Sequence, residues 1–213
     1  MKMINKIKKL AGSLALASAL LPQQLQSADV SGSLEVLAGD KSTTTDLKAN
    51  VKLPDDFSLF ARNRIENSYN STSSPLTLLD LKYNSGKGFF PMVEGLFTQK
   101  GGAIGRLGYT YEQNFGPIRF TFINLCDIAD KSTIDLHPIV TYSKRLNDNW
   151  KFVSGLEVLS NIGLEGIHNS TTERARVGLD FKGYTFGIGT DIKQVGKTFD
   201  DSYNFGAFLS KKF

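Results

Sequence analysis

Past residue 28 this 213-residue chain alternates apolar and polar side chains in segments of about ten, with turn residues between them and no stretch of helical period. A period of two commits each segment to a strand with two unlike faces, which leaves few folds open. In Asp46-Leu47-Lys48-Ala49-Asn50-Val51-Lys52-Leu53, Leu47, Ala49, Val51 and Leu53 share one face and polar residues the other. Thr185-Phe186-Gly187-Ile188-Gly189-Thr190-Asp191-Ile192-Lys193 repeats the arrangement. Twelve such strands are expected, at approximately 30–39, 42–53, 57–68, 75–85, 88–99, 102–115, 117–127, 132–145, 149–161, 171–182, 184–194 and 202–213.

The connections test this pattern separately. Tight turns are expected at Pro54-Asp55-Asp56, Asn84-Ser85-Gly86-Lys87, Gly116-Pro117, Asn147-Asp148-Asn149 and Lys182-Gly183. The alternate connections include the longer 67–74, 127–131, 162–170 and 194–201, although those near Asp40-Lys41 and Lys100-Gly101 are short. Short turns at one end, longer loops at the other and an even strand number with both termini on one side are the marks of a membrane barrel. Twelve strands satisfy the parity, as ten or fourteen would. The expected fold is all-β: a closed antiparallel transmembrane β-barrel over residues 29–213.

A soluble β-sandwich also alternates, but its inner face must be apolar to pack against a partner sheet and its outer face polar. Here the polar face is too charged for a core, and the apolar face too regular for contact with water. A barrel that turns apolar residues to lipid and polar ones to a lumen accommodates both.

Residues 1–28 carry Lys2, Lys6, Lys8 and Lys9, an apolar run from Leu10 to Leu21, and small residues at Ser27 and Ala28. This is the pattern of a secretory signal peptide, with an apolar run too short to cross a bilayer as a helix, which takes about 20 residues. Cleavage is expected after Ser27 or Ala28, and no cysteine lies nearby to take a lipid. Removing the four leader lysines takes 25 Lys+Arg down to 21, against 21 Asp+Glu. The basic character belongs to the leader, so net charge gives no reason to expect a nucleic-acid partner. Cys126, the only cysteine, permits no intramolecular disulfide.

Strand parity sends the charges one way. Expected inward are Glu35, Asp46, Lys48, Lys52, Arg62, Arg64, Glu66, Asp80, Lys82, Glu94, Arg106, Glu112, Arg119, Asp135, Lys151, Glu157, Arg174, Arg176, Asp180, Asp191 and Lys193. The other face takes Leu59, Leu81, Val93, Phe97, Leu107, Tyr109, Phe120, Phe122, Leu136, Val140, Phe152, Leu156, Val177, Leu179, Phe186 and Ile188. A Lys or Arg in the lipid belt costs about 2–4 kcal/mol at the midplane, so this segregation fixes each register. Tyr83, Tyr109, Tyr111, Tyr142, Trp150, Tyr184 and Tyr203 fall near strand ends, where interfacial girdles lie; Trp150 is the best candidate for a periplasmic anchor.

Twelve strands give a bore between a filled eight-stranded barrel and an open sixteen-stranded one, so lumen chemistry decides what passes. Arg62 with Arg64, Arg174 with Arg176, and Arg106 with Arg119 form basic ladders suited to carboxylates or phosphates. They are equally placed to pair with Glu35, Glu66, Glu94, Glu112, Glu157 and Asp180 and close the interior. Conduit and sealed interior both remain open on sequence alone.

The last strand runs Tyr203-Asn204-Phe205-Gly206-Ala207-Phe208-Leu209-Ser210-Lys211-Lys212-Phe213. With the leader and the alternating strands, this terminal aromatic resembles bacterial outer-membrane β-barrels. Strand number and arginine-lined lumen are similar to the small twelve-stranded porins for acidic oligosaccharides, though no specific motif is shared. The resemblance implies a cell outer-membrane location, outer-membrane lipid and barrel assembly machinery as partners, the latter through the strand ending in Phe213. It also implies passive passage of small polar or anionic solutes, with no enzyme activity and no cofactor. A non-conducting structural or surface-interaction barrel is the alternative. The chain departs from the usual terminal strand at Lys211, where an apolar residue is common; a lysine at the membrane edge can snorkel.

Outer-membrane phospholipases, also twelve-stranded, use a Ser/His/Asn set on the outer wall. This chain has only His137 and His168. His137 shares the inward face with Asp135, and the adjacent His168-Asn169-Ser170 cannot line up as base, orienter and nucleophile. Asp135 and His137 alone are too few for a metal site. Gly187-Ile188-Gly189 lacks the helix and Lys-Ser/Thr of a phosphate loop.

Overall fold

The computed structural model describes residues 29–70, 73–86, 88–99, 101–128, 133–163, 166–196 and 200–213; the expected leader and its cleavage bond lie outside them. Twelve strands follow one another: β1 (Val30–Gly39), β2 (Ser42–Lys52), β3 (Phe57–Ser68), β4 (Ser74–Tyr83), β5 (Phe89–Thr98), β6 (Gly102–Phe115), β7 (Ile118–Asp127), β8 (Thr133–Arg145), β9 (Trp150–Gly163), β10 (His168–Phe181), β11 (Tyr184–Val195) and β12 (Asp200–Lys212). Each pairs antiparallel with the next, and β12 returns to β1, closing the sheet into a barrel. Every expected strand is present, within about three residues of its expected ends.

Burial is inverted relative to a soluble protein. Asp46, Arg62, Asp80, Glu94, Arg106, Asp135 and Asp180 are buried, whereas Leu81, Val93, Leu107, Leu156, Val177, Phe186 and Ile188 are exposed on the outer wall. Cross-strand partners share a face, so Asp46 opposite Arg64, Lys48 opposite Arg62, Asp80 opposite Glu94 and Glu157 opposite Arg174 place the charges inside. All the charged residues expected inward face the lumen by this register, and the apolar set faces out.

At the far end the connections between strands span two to five residues, so the longer loops expected there are not present; at the end that carries the termini they also span two to five. Lys182 and Gly183 both have positive φ, 50° and 85°, the backbone of a two-residue turn matched to strand twist. Aromatic pairs ring this end: Phe57 with Tyr83 at 5.2 Å, Phe89 with Tyr109 at 5.1 Å, and Trp150 with Phe181 at 4.8 Å between centroids. Lys211 faces outward among them and lies 3.5 Å from the centroid of the Tyr184 ring, so its charge rests on an aromatic face.

The seam between β1 and β12 is pinned at both ends. At the terminal end Gly32 N–H donates to Phe213 O at 2.9 Å, and Phe213 N–H donates to Gly32 O at 3.1 Å. A Cβ on Gly32 would come within 2.5 Å of the Phe213 ring, so only glycine admits that ring there. At the far end Asn204 Oδ1 accepts the backbone N–H groups of Lys41 and Ser42 at 3.1 and 3.0 Å, and Asp40 accepts from Phe205 N–H at 2.9 Å.

Candidate functional site: a braced lumen and a polar cluster on the outer wall

Register alone brings like-facing residues of neighbouring strands together; closure brings distant strands together. Arg62 on β3 donates through Nε and Nη2 to both oxygens of Asp46 on β2, at 2.8 and 2.6 Å. Its Nη1 donates to Glu157 on β9 at 2.7 Å. β3 and β9 are six strands apart in either direction around the ring. A circular twelve-stranded barrel has a Cα diameter of roughly 24 Å, from strand spacing and tilt. An arginine and a glutamate reach only about 7 and 5 Å from their Cα atoms, so the cross-section is narrowed along this axis.

The remaining arginines join the brace. Arg64 reaches Asp191 at 2.8 Å, and Arg176 reaches Glu35 at 2.9 Å and Asp191 at 2.8 Å. Arg174 sits farther from its acids, 3.5 Å from Asp46 and 3.4 Å from Glu157, and its Nε has no hydrogen-bond partner among the described residues. Lys48 stands 3.6 Å from Asp46, and His137 Nε2 lies 2.9 Å from Glu157 Oε1. Arg106 Nε donates to Glu94 at 2.6 Å, and its Nη1 donates to Asp135. Arg119 pairs with Glu112 at the terminal-end mouth and is largely exposed. Lys82 rests 5.2 Å from the Phe60 ring centroid; Asp180 accepts from the Thr185 hydroxyl at 3.0 Å.

The basic ladders are therefore neutralised along most of their length, although Glu66 and Asp180, also expected to pair with arginine, accept instead from the Ser42 and Thr185 hydroxyls. Lys151 at the terminal-end mouth and Lys193 at the far mouth face inward, exposed, with no carboxylate partner among the described residues. Between them a recess of about 130 Å³ is lined by Glu35, Asp46, Lys48, Thr141, Arg174 and Arg176 among others. Apolar side chains that the charge parity did not anticipate are buried in the lumen on both sides of the brace, beside the Arg106 network as well as beside the recess. Leu125 and Met92 are buried beside the Arg106 network, Phe208 and Leu37 are buried on the facing wall, and Thr110 donates to Met92 Sδ at 3.1 Å. Glu157 occupies His137, and Arg106 and Asn161 occupy Asp135; no cluster of three or more metal-type ligands exists among the described residues.

A second polar grouping lies on the outer wall near the far end, and sequence reasoning missed it. Thr171 on β10 is the register partner of Ser160 on β9, on the same face as Leu136 and Leu156. The register shifts between His168 and Ser170, leaving Asn169 as an extra residue in a bulge, and His168 pairs opposite Ile162 on the outer face. The His168 ring then reaches Thr171 Oγ1 through Nε2 and Gly196 O through Nδ1, both at 2.9 Å. His168 was expected in the 162–170 connection, where Asn169 and Ser170 beside it could not line up with it; it instead opens β10 and hydrogen-bonds Thr171 and Gly196.

No family model and no curated protein matches this chain. Among solved structures, the NanC porin aligns over 86% of this chain and 98% of that one, with a TM-score of 0.54 at 10% identity. The chain has the fold of an outer-membrane β-barrel. LpxR from Salmonella typhimurium aligns over 85% of this chain and 99% of that one, with a TM-score of 0.45 at 10% identity.

Proposed function

We propose that the chain resides in the bacterial outer membrane and acts as a narrow channel for small polar solutes, with anions favoured. The observation that carries this reading is the charged lumen: a recess of about 130 Å³ beside the Arg62 brace, between Lys151 and Lys193 at the two mouths, neither of which has a carboxylate partner among the described residues. Sites that enclose organic ligands are larger, about 300–1,000 Å³, so sugars are excluded and ions of inorganic size pass. Lys151 and Lys193 raise the local concentration of anions at each entrance. Insertion proceeds through assembly machinery that engages the β12 strand ending in Phe213, and the outer wall is solvated by lipid.

Planar-bilayer recording of refolded protein tests this. Small unitary steps with an anion-favouring reversal potential are expected, together with no swelling of protein-loaded liposomes in disaccharide. A folded barrel that gives no steps overturns the channel reading and leaves the second one, a non-conducting barrel, which the cross-lumen Arg62–Glu157 pair favours.

A further inference from the structure

The outer-wall cluster of Ser160, Thr171 and His168 has a hydrogen-bond direction that its chemistry dictates. Gly196 O is a carbonyl and can only accept, so the neutral imidazole carries its proton on Nδ1 and points it at Gly196 at 2.9 Å. Nε2 is then an acceptor, and the only hydrogen on Thr171 Oγ1, 2.9 Å away, is donated to it. Thr171 Oγ1 has lone pairs left, and Ser160 Oγ, 3.0 Å off, donates to one of them. The result is a one-way chain from Ser160 through Thr171 to His168, anchored by a backbone carbonyl.

The anchor is built for the purpose. Gly196 has φ of 75°, a left-handed backbone that favours glycine, and its N–H donates to Asn169 O at 2.9 Å. The bulge at Asn169 that re-aims His168 thus also holds the residue whose carbonyl orients the ring. Thr171 is buried, whereas Ser160 is half-buried at the start of the chain and accepts no other hydrogen bond among the described residues. Ser160 lies three residues from the end of β9 on the face shared with Leu136, among side chains turned to lipid. With the termini periplasmic, that height is the polar boundary of the outer leaflet.

We propose that Ser160 is the nucleophile of an acyl-ester hydrolase that acts on outer-leaflet lipid, with Thr171 as proton relay and His168 as base. Ser160 Oγ forms a bond to the acyl carbon of the ester. Its proton moves to Thr171 Oγ1, whose own proton passes to His168 Nε2. Expulsion of the lipid alcohol breaks the ester C–O bond, and the alkoxide takes a proton back from His168 along the same chain. Water then attacks the acyl-Ser160 ester, gives its proton to the same relay, and releases the fatty acid with Ser160 restored. No oxidant, reductant or metal enters the balance.

The test uses the refolded full-length barrel in mixed micelles of detergent and dioleoyl phosphatidylethanolamine, with oleate release as readout. Heat-modifiable gel mobility certifies folding of each variant. Wild type is expected to release oleate and to label at Ser160 with a fluorophosphonate, located by mass spectrometry. S160A, H168A and T171V are expected to lose at least a hundredfold in rate, while T171S keeps the relay hydroxyl and most of the rate. Folded wild type with neither release nor an adduct overturns the proposal, as does release that survives S160A or an adduct on Thr171. The reading is independent of the lumen: a conducting barrel without ester release defeats it and leaves the channel standing.

Discussion

Arg62 on β3 and Glu157 on β9 meet at 2.7 Å from diametrically opposite walls of the barrel. The pair is a tie rod: it holds two walls nearer than a circular section would allow, and charged and apolar side chains are buried on both sides of it. Both side chains are largely buried, so removing either takes the nearest cross-lumen partner from a buried charge, leaving Arg62 on Asp46 or Glu157 on Arg174 and His137.

Arg62→Met tests the tie rod. Asp46 loses its bidentate partner and Glu157 its nearest cation, and breaking a buried pair in this way costs about 3–5 kcal/mol. The expected outcome is a lower unfolding temperature on heat-modifiable gels together with larger unitary conductance, as Arg174 and Lys48 are left holding two carboxylates. Unchanged conductance in a folded variant would show that the tie rod does not limit the bore.

Arg106→Met strands a different set. Glu94 and Asp135 both depend on Arg106, and Asp80, the register partner of Glu94, keeps a buried Oδ1 with no hydrogen-bond partner among the described residues. Crowding carboxylates without their cation should destabilise the barrel by a similar 3–5 kcal/mol. Denaturant titration followed by tryptophan fluorescence of Trp150 measures it, and a change below 1 kcal/mol would count against the brace on this side.

Lys151→Glu with Lys193→Glu addresses selectivity. Both positions are exposed at the mouths and outside the brace, so stability should change by less than about 0.5 kcal/mol. Reversal potentials in a salt gradient should move from anion-favouring toward cation-favouring. A selectivity that does not move places the filter elsewhere in the lumen.

Gly32→Val tests the seam. The added side chain meets the Phe213 ring and the Lys48 carbonyl, both at under 3 Å from its Cβ. Loss of the Gly32–Phe213 backbone pairing should reduce the yield of the compact, heat-resistant form on refolding by several fold. Ala at the same position, with its single added carbon in the same place, should show a milder loss of the same sign.

Local pattern carried much of this structure. Alternation located all twelve strands, and because side chains in a strand obey a period of two, the face of Arg62, Glu94 or Glu157 followed from parity alone. Which acid meets which base across the lumen did not follow, since Arg62 finds Glu157 through ring closure and barrel shear, which no local segment encodes. Leu125 and Met92 escaped notice because inward apolar residues look like noise in a strand sorted by charge. The bulge at Asn169 was hidden for another reason: one extra residue breaks parity, so His168 could be placed on neither face until the pairing with Ile162 was visible.

Phe213 and Gly32 exchange both backbone hydrogen bonds, so the place where the chain begins is nearly arbitrary. Joined by a short linker from residue 213 to residue 29 and cut instead at the Pro54–Asp56 turn, the permuted chain would keep every strand beside its present neighbours. Such a permutant should refold to the same heat-resistant species in vitro, while its new final strand, β2, ends in Leu53 rather than an aromatic. Comparing its refolding with its insertion in cells would separate what Phe213 does for the architecture from what it does for delivery.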